Sequence, residues 1–382
     1  MRSWPARRPA LARASGDPVA LDQAQPISGE RRRNFIARAR ACRPDGQTRS
    51  VIVKMTRSPH YDPAAEKAFA NFGLIREWSA TAFIDACAPG RGHSPALLGG
   101  DVARGLIVFE DLGTGLRSLD HVLLEGPAAE AERALTHYAT ALGRLHADTV
   151  ACAEGHRARF QSIFGGGEPS GSMWSSMEDS VSAIARKLGG TPPARELAQL
   201  SARLDDPGWQ SLTHGDPCPD NALIVDDRIR LVDYEFARPA HALLDGIYWR
   251  IGFPTCWCAG RIPDDVARRV DRAYRAEIVR AMPAACDEAA YRTEIAHVAA
   301  IWLIRSLSWR LDRALEEDER WGTWSVRGRL LWYLEAVIEM TEAAHALPGF
   351  RATAHAWLAG LCKRWPDAAP LGLYRAFAPP RA

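Results

Sequence analysis

The stretch Leu212-Thr213-His214-Gly215-Asp216-Pro217-Cys218-Pro219-Asp220-Asn221-Ala222-Leu223-Ile224 constrains this chain more than any other. Two short apolar runs, Ala222–Val225 and Ile229–Val232, flank Asp226-Asp227-Arg228, and that patterning predicts a β-hairpin. Such a hairpin holds Asn221 at the mouth of its first strand and Asp233 at the end of its second, with Asp216 projecting from the loop before it. Three oxygen-bearing side chains then converge on one small volume. That donor set suits Mg²⁺, a hard and oxygen-seeking cation, together with a base for a hydroxyl proton.

The residues upstream supply elements that such a site would need. Arg33–Ala41 alternates as a half-buried strand does, Pro44-Asp45-Gly46-Gln47 carries turn chemistry, and Ser50–Met55 reads as the returning strand. Lys54 near the end of that strand is unusual, because a buried ammonium needs a partner. From this segment alone, an edge lysine facing solvent fits equally well. A helical pattern opens at Asp62-Pro63 and runs to about Ala86, carrying Glu66 and Glu77. Glu77 lies among apolar residues, while Glu66 sits in a more polar first turn, which makes Glu77 the one to prefer if this helix is to supply a buried acid. Gly73 is a potential break between the two. Pro95–Leu98 and Gly105–Glu110 read as further strands joined by Gly99–Arg104, and the pattern changes to helix after Glu110-Asp111-Leu112-Gly113.

From Leu116 onward helical periodicity dominates, most clearly over Ala128–His146, where His146 reads as a structural or capping residue. Gly165-Gly166-Gly167 is a loop or lid candidate and not a phosphate fingerprint. Asp245 opens an apolar segment, with N-capping the simpler role and bracing of the 214–221 loop the other. Ordinary core filling explains most of the C-terminal tryptophans, while a subset could line a pocket for a sugar or a cationic amine. The acidic run Glu316-Glu317-Asp318-Glu319 reads first as a solvated turn, and second as an attraction for an amine-bearing molecule.

Composition narrows the partners. At 382 residues the chain can form two substantial lobes, and a net charge of +2 gives no strong pull toward nucleic acid or membrane. The expected partner is a small molecule. No apolar run reaches bilayer length, so a cytoplasmic location is expected. The eight cysteines are scattered, only Cys256-Trp257-Cys258 is close-spaced, and reduced core residues are the expectation. Residues 1–25 are expected to be a disordered extension, rich in Arg, Ala and Pro near the start.

With Lys54, Glu77, the Glu110–Leu112 segment, Asp216, Asn221 and Asp233 in this order, the chain resembles the aminoglycoside phosphotransferase/choline kinase superfamily, from about Pro26 to about Leu334. Gly215 stands where protein kinases carry Arg, and Tyr234-Glu235 follows Asp233 in place of Phe-Gly. The resemblance implies an α+β, bilobal, protein-kinase-like fold. Its small N-terminal lobe, residues 26–112, would have an antiparallel sheet plus a helix. Its larger lobe, residues 113–382, would be mainly α-helical.

The resemblance also implies roles. ATP and Mg²⁺ are the implied cofactors, with the Ser28-Gly29-Glu30 turn as nucleotide loop, Lys54 and Glu77 at the phosphates, and Glu110 and Leu112 at the adenine. Asn221 and Asp233 would hold the metal, and Asp216 would serve as catalytic base. The acceptor expected is a hydroxyl of a small polar molecule such as an aminoglycoside or another antibiotic. The alternatives are an amino alcohol or sugar as acceptor, and a non-catalytic nucleotide-binding module.

Overall fold

The computed structural model describes residues 10–11, 19–27, 29, 33–62, 69–165 and 176–379. The chain divides into two compact units. The first comprises residues 1–116, 152–170 and 230–238. Its centre is a six-stranded sheet of β1 (Ala10–Leu11), β2 (Val19–Pro26), β3 (Asn34–Cys42), β4 (Thr48–Thr56), β5 (Leu97–Asp101) and β6 (Leu106–Glu110). The strand order is β1-β2-β3-β4-β6-β5, and every neighbouring pair is antiparallel.

Strand β3 follows from its alternation. Phe35, Ala37, Ala39 and Ala41 are buried, while Arg38 and Arg40 stand on the opposite face. The turn into β4 closes with Gly46 N–H on the Arg43 carbonyl at 3.0 Å, and Asp45 accepts from the Gln47 N–H at 2.9 Å. Register places Ile36 opposite Lys54, so the lysine sits within the paired region and not at a frayed end.

The disordered extension expected over residues 1–25 is corrected in part. Val19–Pro26 is a strand on β3, with Leu21 fully buried and Asp22 bridging to Arg40 at 2.9 Å. The Arg-rich start hid a short apolar alternation behind it. Strand β5 also runs on through Gly99-Gly100, where the sequence reads as a connection.

The helix α1 (Phe69–Cys87) buries Leu74, Trp78 and Ile84, and Trp78 and Leu74 pack with Ile107 and Phe109 of the sheet. The helix is continuous through Gly73. The expected helix start at Pro63, together with Glu66, lies outside the described residues, as do Ser28, Glu30, Gly166 and Gly167.

The second unit comprises residues 117–151, 171–229 and 239–382 and is mainly helical. The helix Ala128–Asp148 buries Ala134, Leu135, Tyr138, Ala139, Leu142 and Leu145, the positions its periodicity predicts. It packs against Asp264–Ile278. The long helix Glu288–Glu316 is capped by Asp287, whose carboxylate accepts from the Ala289 and Ala290 N–H groups. Among the C-terminal tryptophans, Trp249, Trp302 and Trp332 are core, whereas Trp257 and Trp309 are exposed. No described helix is long and apolar enough to cross a membrane.

Four short strands carry the central motif: β7 (Gln210–Thr213), β8 (Ala222–Val225), β9 (Arg228–Leu231) and β10 (Arg238–His241). Strand β7 pairs with β10, and β8 pairs with β9 as the predicted hairpin. Its two-residue turn is Asp226-Asp227, both at positive φ (48° and 59°), as tight hairpin turns require.

Candidate active site

In the first unit, a charged cluster is built around Lys54. The side chain is buried and its ammonium lies 2.5 Å from Glu77 Oε2 of α1 and in contact with Asp233 Oδ1. The structure thus settles the orientation of Lys54: it faces inward. Asp233 lies two residues beyond β9, with φ at +68°, a left-handed conformation in which an aspartate is tolerated better than bulkier residues. Its carboxylate is 39% exposed, whereas those of Glu77 and Glu235 are nearly enclosed.

Glu235 completes the cluster and pairs with Arg33. It explains Gly73: a Cβ there would lie 3.0 Å from Glu235 Oε2 and 3.2 Å from its Cβ. The glycine that looks like a helix breaker is a gap in the helix surface filled by a carboxylate. Glu77 lies one turn further along the same face.

The electrostatics of this cluster follow from counting. Two cations, Lys54 and Arg33, face three carboxylates, Glu77, Asp233 and Glu235. Burial alone would lower the Lys54 pKa, but the three carboxylates outweigh it and raise it, so the ammonium stays charged. The surplus negative charge appears as proton affinity. Burial first, then Asp233 and Glu235, raise the Glu77 carboxyl to about 7 against the pull of Lys54. Glu235 is raised as well, by burial and Asp233. A divalent cation at the exposed Asp233 is chemically suited to the same surplus.

The Glu110–Gly113 segment is fixed by a fork that sequence reasoning missed. Arg38 donates from Nε to Asp111 Oδ2 at 2.6 Å, from its Nη2 to Asp111 Oδ1 at 2.9 Å, and from Nη2 to the Gly113 carbonyl at 2.6 Å. Ser50 also donates to Asp111. These partners hold the Asp111 carboxyl down at about 2, the Arg38 bond contributing most. Glu110 ends β6, its backbone N–H paired with the Ala96 carbonyl at 2.9 Å, and Leu112 follows in the loop.

In the second unit, the loop after β7 carries Asp216. Fully buried His214 precedes Gly215, whose φ of +79° needs a residue without a side chain. That backbone aims two successive N–H groups at Asp245: His214 N–H to Oδ2 at 2.6 Å and Gly215 N–H to Oδ1 at 3.2 Å. Asp245 lies inside the short helix Leu243–Gly246, so the expected N-cap role gives way to bracing of the loop. His146 is structural as expected, touching Tyr274 Oη at 2.7 Å and Asp245 Oδ2 at 3.4 Å. Tyr138 donates to the Pro217 carbonyl at 2.6 Å, its hydroxyl kept protonated by burial and then by Asp245.

Asp216 itself is half-buried. Thr255 donates to its Oδ1 at 2.5 Å, and the Asn221 amide nitrogen donates to its backbone carbonyl at 3.0 Å. With that nitrogen committed, the amide oxygen is the Asn221 atom left to act as a metal ligand. The Cys218 sulfur lies 3.1 Å from Asp216 Oδ1 and is bonded to Cys256, with the two Cα atoms 5.6 Å apart. The expectation that all cysteines are reduced is therefore corrected. The sequence offered Cys256 a neighbour in Cys258, but the fold brings it Cys218 across a separation of 38 residues.

No family model matches this sequence, and no curated protein does. Solved structures are similar to it at low identity. A choline kinase from Cryptosporidium parvum shares 12% identity at a TM-score of 0.47, covering 88% of this chain and 93% of that one. A choline/ethanolamine kinase family protein from Mesorhizobium loti shares 14% at 0.42, with the same two coverages of 88% and 93%. Amicoumacin kinase, solved in complex with AMP-PNP, shares 11% at 0.44, covering 93% of this chain and 91% of that one.

Proposed function

We propose that this protein is an ATP-dependent O-phosphotransferase that transfers the γ-phosphoryl group to a hydroxyl of a small polar molecule. The observation that carries the reading is the buried Lys54 held between Glu77 and Asp233, on strand, helix and post-hairpin loop in the order the motif requires. A purely structural ion pair has no need of a third carboxylate or of an exposed aspartate at positive φ.

In this reading Lys54, steadied by Glu77, neutralises charge on the α- and β-phosphates. The Glu110–Leu112 backbone, fixed from below by Arg38 and Asp111, receives the adenine. Asp233 would hold a divalent cation through its exposed carboxylate, and Asn221 would offer its amide oxygen as a metal ligand. Bound Mg²⁺ would supply charge neutralisation at the transferred phosphoryl group. Asp216, oriented by Thr255, takes the proton of the acceptor hydroxyl as the new P–O bond forms.

For the acceptor we favour an aminoglycoside or another antibiotic. A cavity of about 300 Å³ in the second unit is lined by Trp309 and Trp321, by Glu317 and Glu319, and by Arg310 and Arg313. Its charges are largely internal, since Arg313 pairs with Glu319 at 3.1 Å and Arg310 lies over the Trp309 and Trp321 rings, so the preference for an antibiotic rests on the motif resemblance. An ADP-release assay across aminoglycosides, other hydroxyl-bearing antibiotics, amino alcohols and hexosamines tests the assignment. Turnover confined to choline-like amino alcohols or simple sugars would replace antibiotic by metabolite.

A further inference from the structure

The mechanism above leaves the Cys218–Cys256 bond unused, although it touches the proposed base. Cys218 lies two residues after Asp216, and its backbone N–H donates to the Asp216 carbonyl at 2.7 Å. Cys256 follows Thr255, the residue whose hydroxyl reaches Asp216 Oδ1. The bond therefore ties the loop that carries the base to the loop that orients it. Both sulfurs belong to buried residues, while Asp216 and Thr255 beside them are partly exposed.

We propose that Cys218–Cys256 is a thiol-sensitive clamp that holds the positioning residue Thr255 against Asp216, making turnover dependent on thiol redox state. This rests on the phosphotransferase reading for its effect on turnover, but not for the clamp itself. The exchange balances with a dithiol as reductant. Its thiolate attacks one sulfur, a mixed disulfide forms as the Cys218–Cys256 bond breaks, and the second thiol of the reductant displaces it. Two protein thiols and one cyclic disulfide result. Re-oxidation by a small disulfide such as oxidised glutathione reverses the sequence.

The effect is expected to be partial. Other bonds hold the 254–257 loop in place without the disulfide: Arg310 donates to the Pro254 carbonyl at 3.1 Å, and Arg329 donates to the Cys256 and Trp257 carbonyls at 2.6 and 3.0 Å. Reduction then frees the Thr255–Asp216 alignment without unfolding the loop. Small losses of alignment at a reacting group lower turnover markedly.

The test uses the full-length protein held in dithiothreitol or in oxidised glutathione. Peptide mapping should find a Cys218–Cys256 cross-link only in the oxidised sample, and amide exchange over residues 216–221 and 254–257 should quicken on reduction. In turnover, kcat should fall by about threefold to tenfold on reduction, with KM for ATP unchanged. Cys256→Ser should sit at the reduced value and ignore dithiothreitol. Thr255→Val should lose the response, and Thr255→Ser should restore it. Absence of the cross-link after oxidation, or equal kcat in both verified states, overturns the clamp. So does a Thr255→Val enzyme that still responds to thiol. If no acceptor is turned over in either state, the phosphotransferase reading fails, and the exchange data alone decide the clamp: faster exchange on reduction supports it, and unchanged exchange removes it.

Discussion

At the scale of single residues the proposed function assigns the chemistry to Asp216 and Asp233, and their surroundings predict different losses. Asp216→Ala removes the proposed base and should lower kcat by about 10²–10⁴-fold while leaving the fold intact, as circular dichroism and the unfolding midpoint would show. Glu77 makes a prediction about pH. Its carboxyl is raised from an ordinary 4.5 to about 7, so the folded state holds its proton more tightly than the unfolded chain does. That contribution to stability is complete below pH 4.5 and is lost as pH rises through 7. Urea unfolding at pH 5 and pH 8 should show the loss, and Glu77→Gln should flatten it. A Glu77→Gln protein with an undiminished slope over this window would contradict the counting of charges around Lys54.

These residues were legible to different degrees. Lys54, Glu77 and Asp233 could be named because a buried ammonium demands acids, and the motif says where acids stand. Thr255 could not, and Asp245 could be named only with N-capping as the simpler role and bracing of the loop as the other. Each reaches the 214–221 loop from 30 or more residues away, through a contact that no local periodicity records. Cys218 was visible as a cysteine, but its partner depends on how Thr255 is folded back onto Asp216.

Elements tell a similar story through Gly73. An exposed helical Gly→Ala replacement ordinarily stabilises by about 0.8–1 kcal/mol. Here the added Cβ would press on Glu235, so Gly73→Ala should lower Tm instead, and a rise would show that the helix face is open. The loop brace is tested by Asp245→Asn. An amide cannot accept from both the His214 and Gly215 N–H groups as the carboxylate does, and a loss of about 1–3 kcal/mol is expected in urea unfolding. Strand β3 was readable from its alternation, and β4, β6 and the β8–β9 hairpin from short apolar runs beside turn residues. Strand β2 lay behind an Arg-rich start, and β5 passes through two glycines that signal a turn in most settings.

For the whole molecule, the proposed machinery is distributed over both units: Lys54, Glu77 and Asp233 belong to the first, Asp216 and Asn221 to the second. Nucleotide binding and proton removal should therefore separate by mutation. At about 100 times its Kd, ATP with Mg²⁺ should stabilise the protein by about 2.7 kcal/mol in a thermal-unfolding assay. Asp216→Ala should keep most of that gain and Asp233→Ala should lose it. The most direct measurement is ADP release by wild-type protein and Asp216→Ala across the acceptor panel, with the phosphorylated product confirmed by mass. The account predicts that at least one small hydroxyl-bearing acceptor drives ATP-dependent turnover that Asp216→Ala lowers by about 10²-fold or more. ATP binding with no acceptor phosphorylated, or near-normal turnover by Asp216→Ala, would contradict it.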